Sequence, residues 1–165
     1  VTVRRYPEAL RVDDTLSLRP ATDADAELIS GWTQAPEVHE GWGGTPLSVA
    51  EVLAKYTGRR APRVASYLVV EGAEPVGYLQ AWQDESACGL DLFIAAPAQG
   101  RGIGPRVARA LAVALDALGW RPLTVDPAVG NERAVRAWQA AGFVMTGQQG
   151  VDHGRPTHLM VFGGG

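Results

Sequence analysis

Gln99-Gly100-Arg101-Gly102-Ile103-Gly104 joins two unlike patterns in this sequence. Before it lies an apolar run, Leu90 to Ala96, interrupted only by Asp91. After it comes helical spacing, with Ile103, Val107, Leu111, Leu115 and Leu118 on one face and Gly119 where a helix takes its terminal glycine. A strand, a glycine-rich turn and a helix together make an anion cradle. Glycine lets the backbone come close to a phosphate, and the first N–H groups of the helix have no partner inside it. The spacing lacks the Lys-Ser/Thr of a P-loop and the third glycine of the dinucleotide fingerprint. On the hexapeptide alone, a phosphate cradle and a plain strand-to-helix turn are equal readings.

The 165 residues suit one domain with a substantial core. Hydrophobic residues make up 46% and charged residues 20%, a globular balance, and the 20 glycines and 11 prolines are scattered. A net charge of -3 argues against nucleic acid and is compatible with a cationic small molecule. The single cysteine, Cys88, excludes an internal disulfide framework, and no zinc-ligand spacing occurs, so no metal is expected. No apolar run is long enough for a membrane span. The opening Val1-Thr2-Val3-Arg4-Arg5 is not followed by an apolar segment, so a cytoplasmic location is the default expectation.

Residues 1–14 are polar and read as an irregular arm, with one domain over 15–165. Thr15 to Arg19 alternates as a first strand that Pro20 stops. Thr22 caps a helix whose buried side is Leu28, Ile29 and Trp32. Residues 34–47 read as a long loop. Ser48-x-x-Glu51 is a capping box for a second helix, with Val49, Val52, Leu53 and Tyr56 as its apolar contacts. Tyr67 to Val70 and Val76 to Gln83 form a hairpin about Gly72-Ala73-Glu74-Pro75. Ala87 to Ala95 is the strand before the glycine-rich turn. A short strand Leu123 to Val125, a helix capped by Asn131, and two closing strands complete a mixed sheet with helices on its faces.

Two motifs in order carry a family resemblance. Gln99-x-x-Gly102-x-Gly104 resembles the acetyl-CoA pyrophosphate loop of the Gcn5-related N-acetyltransferases (GNAT). Asn131-x-x-Ala134-x-x-x-Trp138-x-x-x-Gly142-Phe143 resembles that family's second motif, with Trp where the family has Tyr. Trp42-Gly43-Gly44, Gly77-Tyr78-Leu79-Gln80, Gly89-Leu90-Asp91-Leu92-Phe93-Ile94 and Leu123-Thr124-Val125-Asp126-Pro127 resemble the aminoglycoside 6′-N-acetyltransferase branch. The resemblance spans residues 16–162 and implies an α/β (α+β) fold, a mostly antiparallel sheet of about seven strands with about four helices.

It also implies a chemistry. Gln99, Gly100, Arg101, Gly102, Ile103 and Gly104 would hold the acetyl-CoA pyrophosphate, with Asn131 and Trp138 along the pantetheine arm. A backbone N–H near Phe93 or Ile94 would polarise the thioester oxygen. Pro105 removes one donor from the loop. Asp91, a lone charge inside an apolar strand, either points into a cleft as base or amine ligand, or is an edge-strand solubility charge. Asp126, at the next strand's end, is either an amino-sugar ligand, with or without a catalytic role, or an Asp-Pro turn residue. Trp42 is either a platform for a sugar or a loop anchor. Asp84, Glu85 and Asp152, in expected turns, either widen an acidic cleft for an aminoglycoside or are simply solvated. Trp138 offers a hydrogen bond but no usable acidity. That leaves the thiolate to depart unaided or to be protonated by water or by another group such as Tyr78.

The expectation is therefore a cytoplasmic acetyltransferase acting on an aminoglycoside amine, as a monomer or homodimer. Other acceptors stay open: kasugamycin, a hydroxylysine siderophore precursor, or a protein N-terminus. Outside catalysis, Trp138 leaves room for an acyl-CoA or drug-binding module.

Overall fold

A computed structural model describes residues 3–164. The strands are β1 (Leu10–Arg11), β2 (Leu16–Pro20), β3 (Val64–Glu71), β4 (Glu74–Gln83), β5 (Cys88–Ile94), β6 (Leu123–Val125), β7 (Phe143–Asp152) and β8 (Arg155–Phe162). The helices are α1 (Ala26–Thr33), α2 (Pro36–His39), α3 (Val49–Lys55), α4 (Ile103–Ala117) and α5 (Glu132–Ala140). All eight strands form one sheet in the order β1-β2-β3-β4-β5-β6-β8-β7, antiparallel except between β5 and β6. Among the described residues no helix is long and apolar enough to cross a membrane.

Alternation along the central strands feeds two cores. Tyr67, Val69, Leu79, Ala81 and Leu90 meet α4 through its Val107, Leu111 and Leu115. The opposite face sends Leu68, Val70, Tyr78 and Phe93 toward α1, α2 and α3, where Ile29, Val38 and Val52 are buried. Because neighbouring strands are in register, Tyr78 lies opposite Phe93 and Gln80 opposite Asp91. Asp91 therefore belongs to the α1–α3 face, whereas Leu92 and Ile94 belong to the α4 face.

The mixed α/β fold expected from the resemblance is the one observed, with, among the described residues, eight strands instead of about seven and five helices instead of about four. The additions are short. β1 has two residues and α2 has four, opened by Pro36 at its first position, so neither leaves a periodic pattern. The described part of residues 1–14 is irregular apart from β1, which pairs with β2, and it is tied to the core where the Arg5 and Pro7 carbonyls accept from the Trp120 indole and Tyr67 hydroxyl. β2 ends at Pro20, which lies opposite Tyr67, as the sequence led one to expect. Leu28 and Val49 are exposed, so the buried sides of α1 and α3 are narrower than their apolar content suggests.

Candidate active site

The glycine-rich turn holds the backbone in conformations that need glycine. Gly100 has φ +81° and Gly102, the N-cap of α4, has φ +74°. Neither a capping side chain nor an acidic residue occupies the first turn of α4. The N–H groups of Gly102, Ile103 and Gly104 thus have no helical acceptor, and Pro105 contributes no donor. They face a groove of about 460 Å3 whose far wall is α5, with Asn131, Arg133 and Trp138. Uncapped donors, a positive helix end and an arginine opposite fit a diphosphate.

The groove continues along an open strand edge. β5 pairs with β4 over its whole length but with β6 only at Cys88 and Gly89. From Leu90 onward its second edge is free. Ala95 donates its N–H to Val76 O at 2.8 Å, on the β4 side. The two-residue alternation then turns the Phe93 N–H to β4 as well, and the N–H groups of Leu92 and Ile94 to the free edge. Ile94, and not Phe93, is the better placed donor. The Ile94 carbonyl accepts from Gln99 Nε2 at 2.9 Å, and that amide also reaches Glu37 O at 3.2 Å, so Gln99 ties turn, strand and α2 together. Asn131 caps α5, its Oδ1 accepting from the Ala134 N–H at 3.1 Å, while also lining the groove. The N-cap role and a groove-lining role coexist.

Around the corner of β5 sits the acidic side. Burial pushes the Asp91 carboxyl up to about 6, opposed by a hydrogen bond from Gln80 and reinforced by the charges of Asp126 and Asp152. Asp91 itself is only partly exposed to solvent. Asp126, just past β6, is raised by its surroundings and by Asp152, at the end of β7. Three carboxylates from three strands thus share one field. Trp42 packs edge-on against Phe93, Tyr78 and Tyr56 at 5.1, 5.8 and 5.9 Å between centroids, the geometry of an anchor roofing this face.

Other sequence candidates fall elsewhere. Asp84 Oδ1 accepts from the Ser86 and Ala87 N–H groups, each at 2.8 Å, and so closes the β4–β5 turn. Those bonds hold its carboxyl below the usual range, and Glu85 is exposed at the tip of the same turn. Neither contributes to the field at Asp91. Arg101 is turned away from the groove into a two-pronged pair with Glu71 at 3.0 and 3.2 Å. Tyr78 is fully buried with its hydroxyl committed to Ser66 and Gln80, and burial drives its acidity far down. It has no proton to give a leaving thiolate. Trp138 stands in the groove wall, edge-on to Phe143 at 5.3 Å.

Several site residues escaped the sequence reading. Arg133 was hidden as one of several solvated charges in α5. Tyr56 read as a helix contact, yet it senses the Asp91 charge. Trp82 lies against Gly89, where an added Cβ would sit 2.7 Å from the indole. Gly89 and Asp91 share a face, so the Trp82 indole covers the strand position two residues before Asp91 on that face. The only available signal was glycine-opposite-tryptophan register, which requires the strand pairing.

A family model described as an acetyltransferase (GNAT) domain matches residues 21–150. The chain is 27% identical to the aminoglycoside N(6′)-acetyltransferase type 1 of Klebsiella pneumoniae over 164 residues, covering 88% of this chain and 82% of that protein. It is similar to AAC(6′)-Ib solved with paromomycin and acetyl-CoA, at TM-score 0.79 and 27% identity, over 90% of this chain and 93% of that one. An acetyltransferase from Thermus thermophilus is 30% identical at TM-score 0.71, over 89% and 96% of the two chains.

Proposed function

The chain belongs to the GNAT acetyltransferases, and on that premise we propose that it transfers the acetyl group of acetyl-CoA to the 6′ amine of an aminoglycoside. The observation that carries this reading is the placing of Asp91, Asp126 and Asp152 in one field at the open edge of β5, beside a groove suited to a diphosphate. A polycationic amine matches that charge. The relatives named for 6′ acetylation support the choice among amines.

Acetyl-CoA, when bound, supplies an activated acetyl thioester. The N–H groups of Gly102, Ile103 and Gly104, with Arg133, hold its diphosphate. The free edge at Leu92 and Ile94, with Asn131, orients the pantetheine arm, and the Ile94 N–H polarises the acyl oxygen. Asp91 takes the proton from the acceptor ammonium, directly or through one water, so that the amine attacks as a neutral nucleophile. A carboxyl poised at about 6 is ionised at neutral pH yet basic enough for that task. Asp126 and Asp152 hold other ammonium groups of the polycation. No protein acid would have to protonate the departing thiolate, since a thiol pKa of only about 8.5 makes the thiolate a leaving group able to go unaided, and the Trp138 indole would offer it a hydrogen bond. In the cytoplasm such an enzyme removes a drug's charge at one amine and confers resistance.

Thiol release with neomycin and with paromomycin tests the reading, because these acceptors differ only in bearing an amine or a hydroxyl at position 6′. Release with neomycin and none with paromomycin is expected. Release only with kasugamycin, hydroxylysine or a peptide N-terminus would overturn it.

A further inference from the structure

Asp91 is held at the end of a one-way hydrogen-bond chain. Strand register sets Ser66 opposite Gln80 and Gln80 opposite Asp91, across β3, β4 and β5. Gln80 Nε2 donates to Asp91 Oδ2 at 2.9 Å. The Tyr78 hydroxyl donates to Gln80 Oε1 at 2.9 Å. The Ser66 hydroxyl lies 2.8 Å from the Tyr78 oxygen and, since the tyrosine proton is already used, donates to it. Ser66, Tyr78 and Gln80 are all buried, so each costs free energy if left without its partner. Among the described residues no buried side-chain oxygen or nitrogen lacks a partner. The tyrosine proton fixes the glutamine carbonyl toward it, which points the glutamine N–H at Asp91. An N–H there needs an accepting oxygen, and the bond is stronger to an ionised carboxylate than to a neutral carboxyl.

The rest of the surroundings work against ionisation. Asp126 faces Asp91 from beyond β6 and Asp152 from the end of β7, both with like charge. Tyr56, after α3, and Tyr78, on β4, also face it. Arg60 acts on the two tyrosines and does not reach the carboxylate. The Gln80 hydrogen bond alone among these favours the charged form.

We infer that Gln80, oriented by Tyr78 and Ser66, is a positioning residue that holds Asp91 in the ionised, proton-accepting state for acetyl transfer. This rests on the reading of Asp91 as the base. It also gives a chemical reason for Tyr78 and Gln80 standing two residues apart on β4: the alternation puts both on the Asp91 face.

The test compares kcat/KM for neomycin, at saturating acetyl-CoA, across pH 5 to 8.5 in wild type, Gln80→Leu, Tyr78→Phe and Asp91→Asn. The ratio of variant to wild type cancels ionisation of the shared amine. For Gln80→Leu the ratio is expected to be about tenfold down at pH 5 and close to one at pH 8.5, as for loss of one hydrogen bond to a charged group. Tyr78→Phe, which removes one oxygen, shifts the same way by less and serves if Gln80→Leu does not fold. Titration of the Asp91 carboxyl carbon by NMR, which needs no turnover, should show a higher midpoint in both variants. A ratio flat in pH with an unmoved carboxyl midpoint overturns the inference while leaving the base intact if Asp91→Asn is inactive. Full turnover in Asp91→Asn overturns both.

Discussion

Asp91 serves the reaction at a cost to the fold. Its ordinary value of 3.8 rises to about 6 in the folded protein because burial disfavours the charge. Between those two values the folded protein keeps a proton that the unfolded chain has released. Stability therefore falls as pH rises through that window and stays lower above it. A rise of that size corresponds to at most about 3 kcal/mol. Asn at this position keeps the hydrogen bond from Gln80 and removes the charge. Asp91→Asn should melt higher than wild type at pH 7.5, match it at pH 4, and lose most of its acetyl transfer. Paired thermal melts at the two pH values check this. An equal difference at both would show that packing, not ionisation, sets the effect.

The element that binds the donor depends on its glycines unequally. Gly102 caps α4 in the left-handed region, where any other side chain crowds its own carbonyl. Gly102→Ala should cost about 1 kcal/mol of stability and weaken acetyl-CoA binding, because the free N–H groups are re-aimed. The KM for neomycin should hold. Gly104 has an ordinary backbone, and an added Cβ would meet Leu92 and Ile94 at 3.5 and 3.7 Å, normal contact distances. Gly104→Ala should therefore fold at least as stably as wild type, since alanine is the better helix former. Chemical denaturation of the pair separates the two roles, and equal losses would refute the distinction. The motif Gln99-x-x-Gly102-x-Gly104 was legible in the sequence, but which glycine carries strain was not, since φ is absent from a pattern. Long elements with strong periodicity, such as α4, and the capping box at Ser48 were likewise readable. A lone aspartate in an apolar strand marked Asp91. Gln80 and Arg133 stayed hidden because their roles come from cross-strand register and from the packing of α5 across the groove. Asp84 and Asp152 looked alike as acidic turn residues, and only the fold sends one to its own turn and the other toward Asp91.

At the scale of the molecule, one sheet parts where chemistry is done. β5 and β6 touch at two residue pairs and then separate, and the groove and the carboxylates lie on either side of that parting. Such a gap leaves backbone edges unpaired, and the stability for it must come from elsewhere in the sheet. The first residues supply part of it. Arg4 exchanges hydrogen bonds with Gln83, its N–H reaching Oε1 at 2.8 Å and its carbonyl accepting from Nε2 at 3.0 Å. The Arg5 carbonyl accepts from the Trp120 indole at 2.8 Å, and the Pro7 carbonyl from the Tyr67 hydroxyl. Trp120 and Tyr67 are among the largest fully buried side chains of the described residues, so this segment satisfies polar ends in the main core. None of its residues lines the groove. Deleting the residues before Leu10 should therefore lower stability by about 3 kcal/mol, roughly 1 kcal/mol for each of the three partners Gln83, Trp120 and Tyr67. The KM values for acetyl-CoA and neomycin should stay those of the full chain at temperatures where both are folded. Urea denaturation and steady-state kinetics on the truncated chain decide it. Weaker acetyl-CoA binding with an unchanged denaturation midpoint would mean that the segment shapes the groove and not the core.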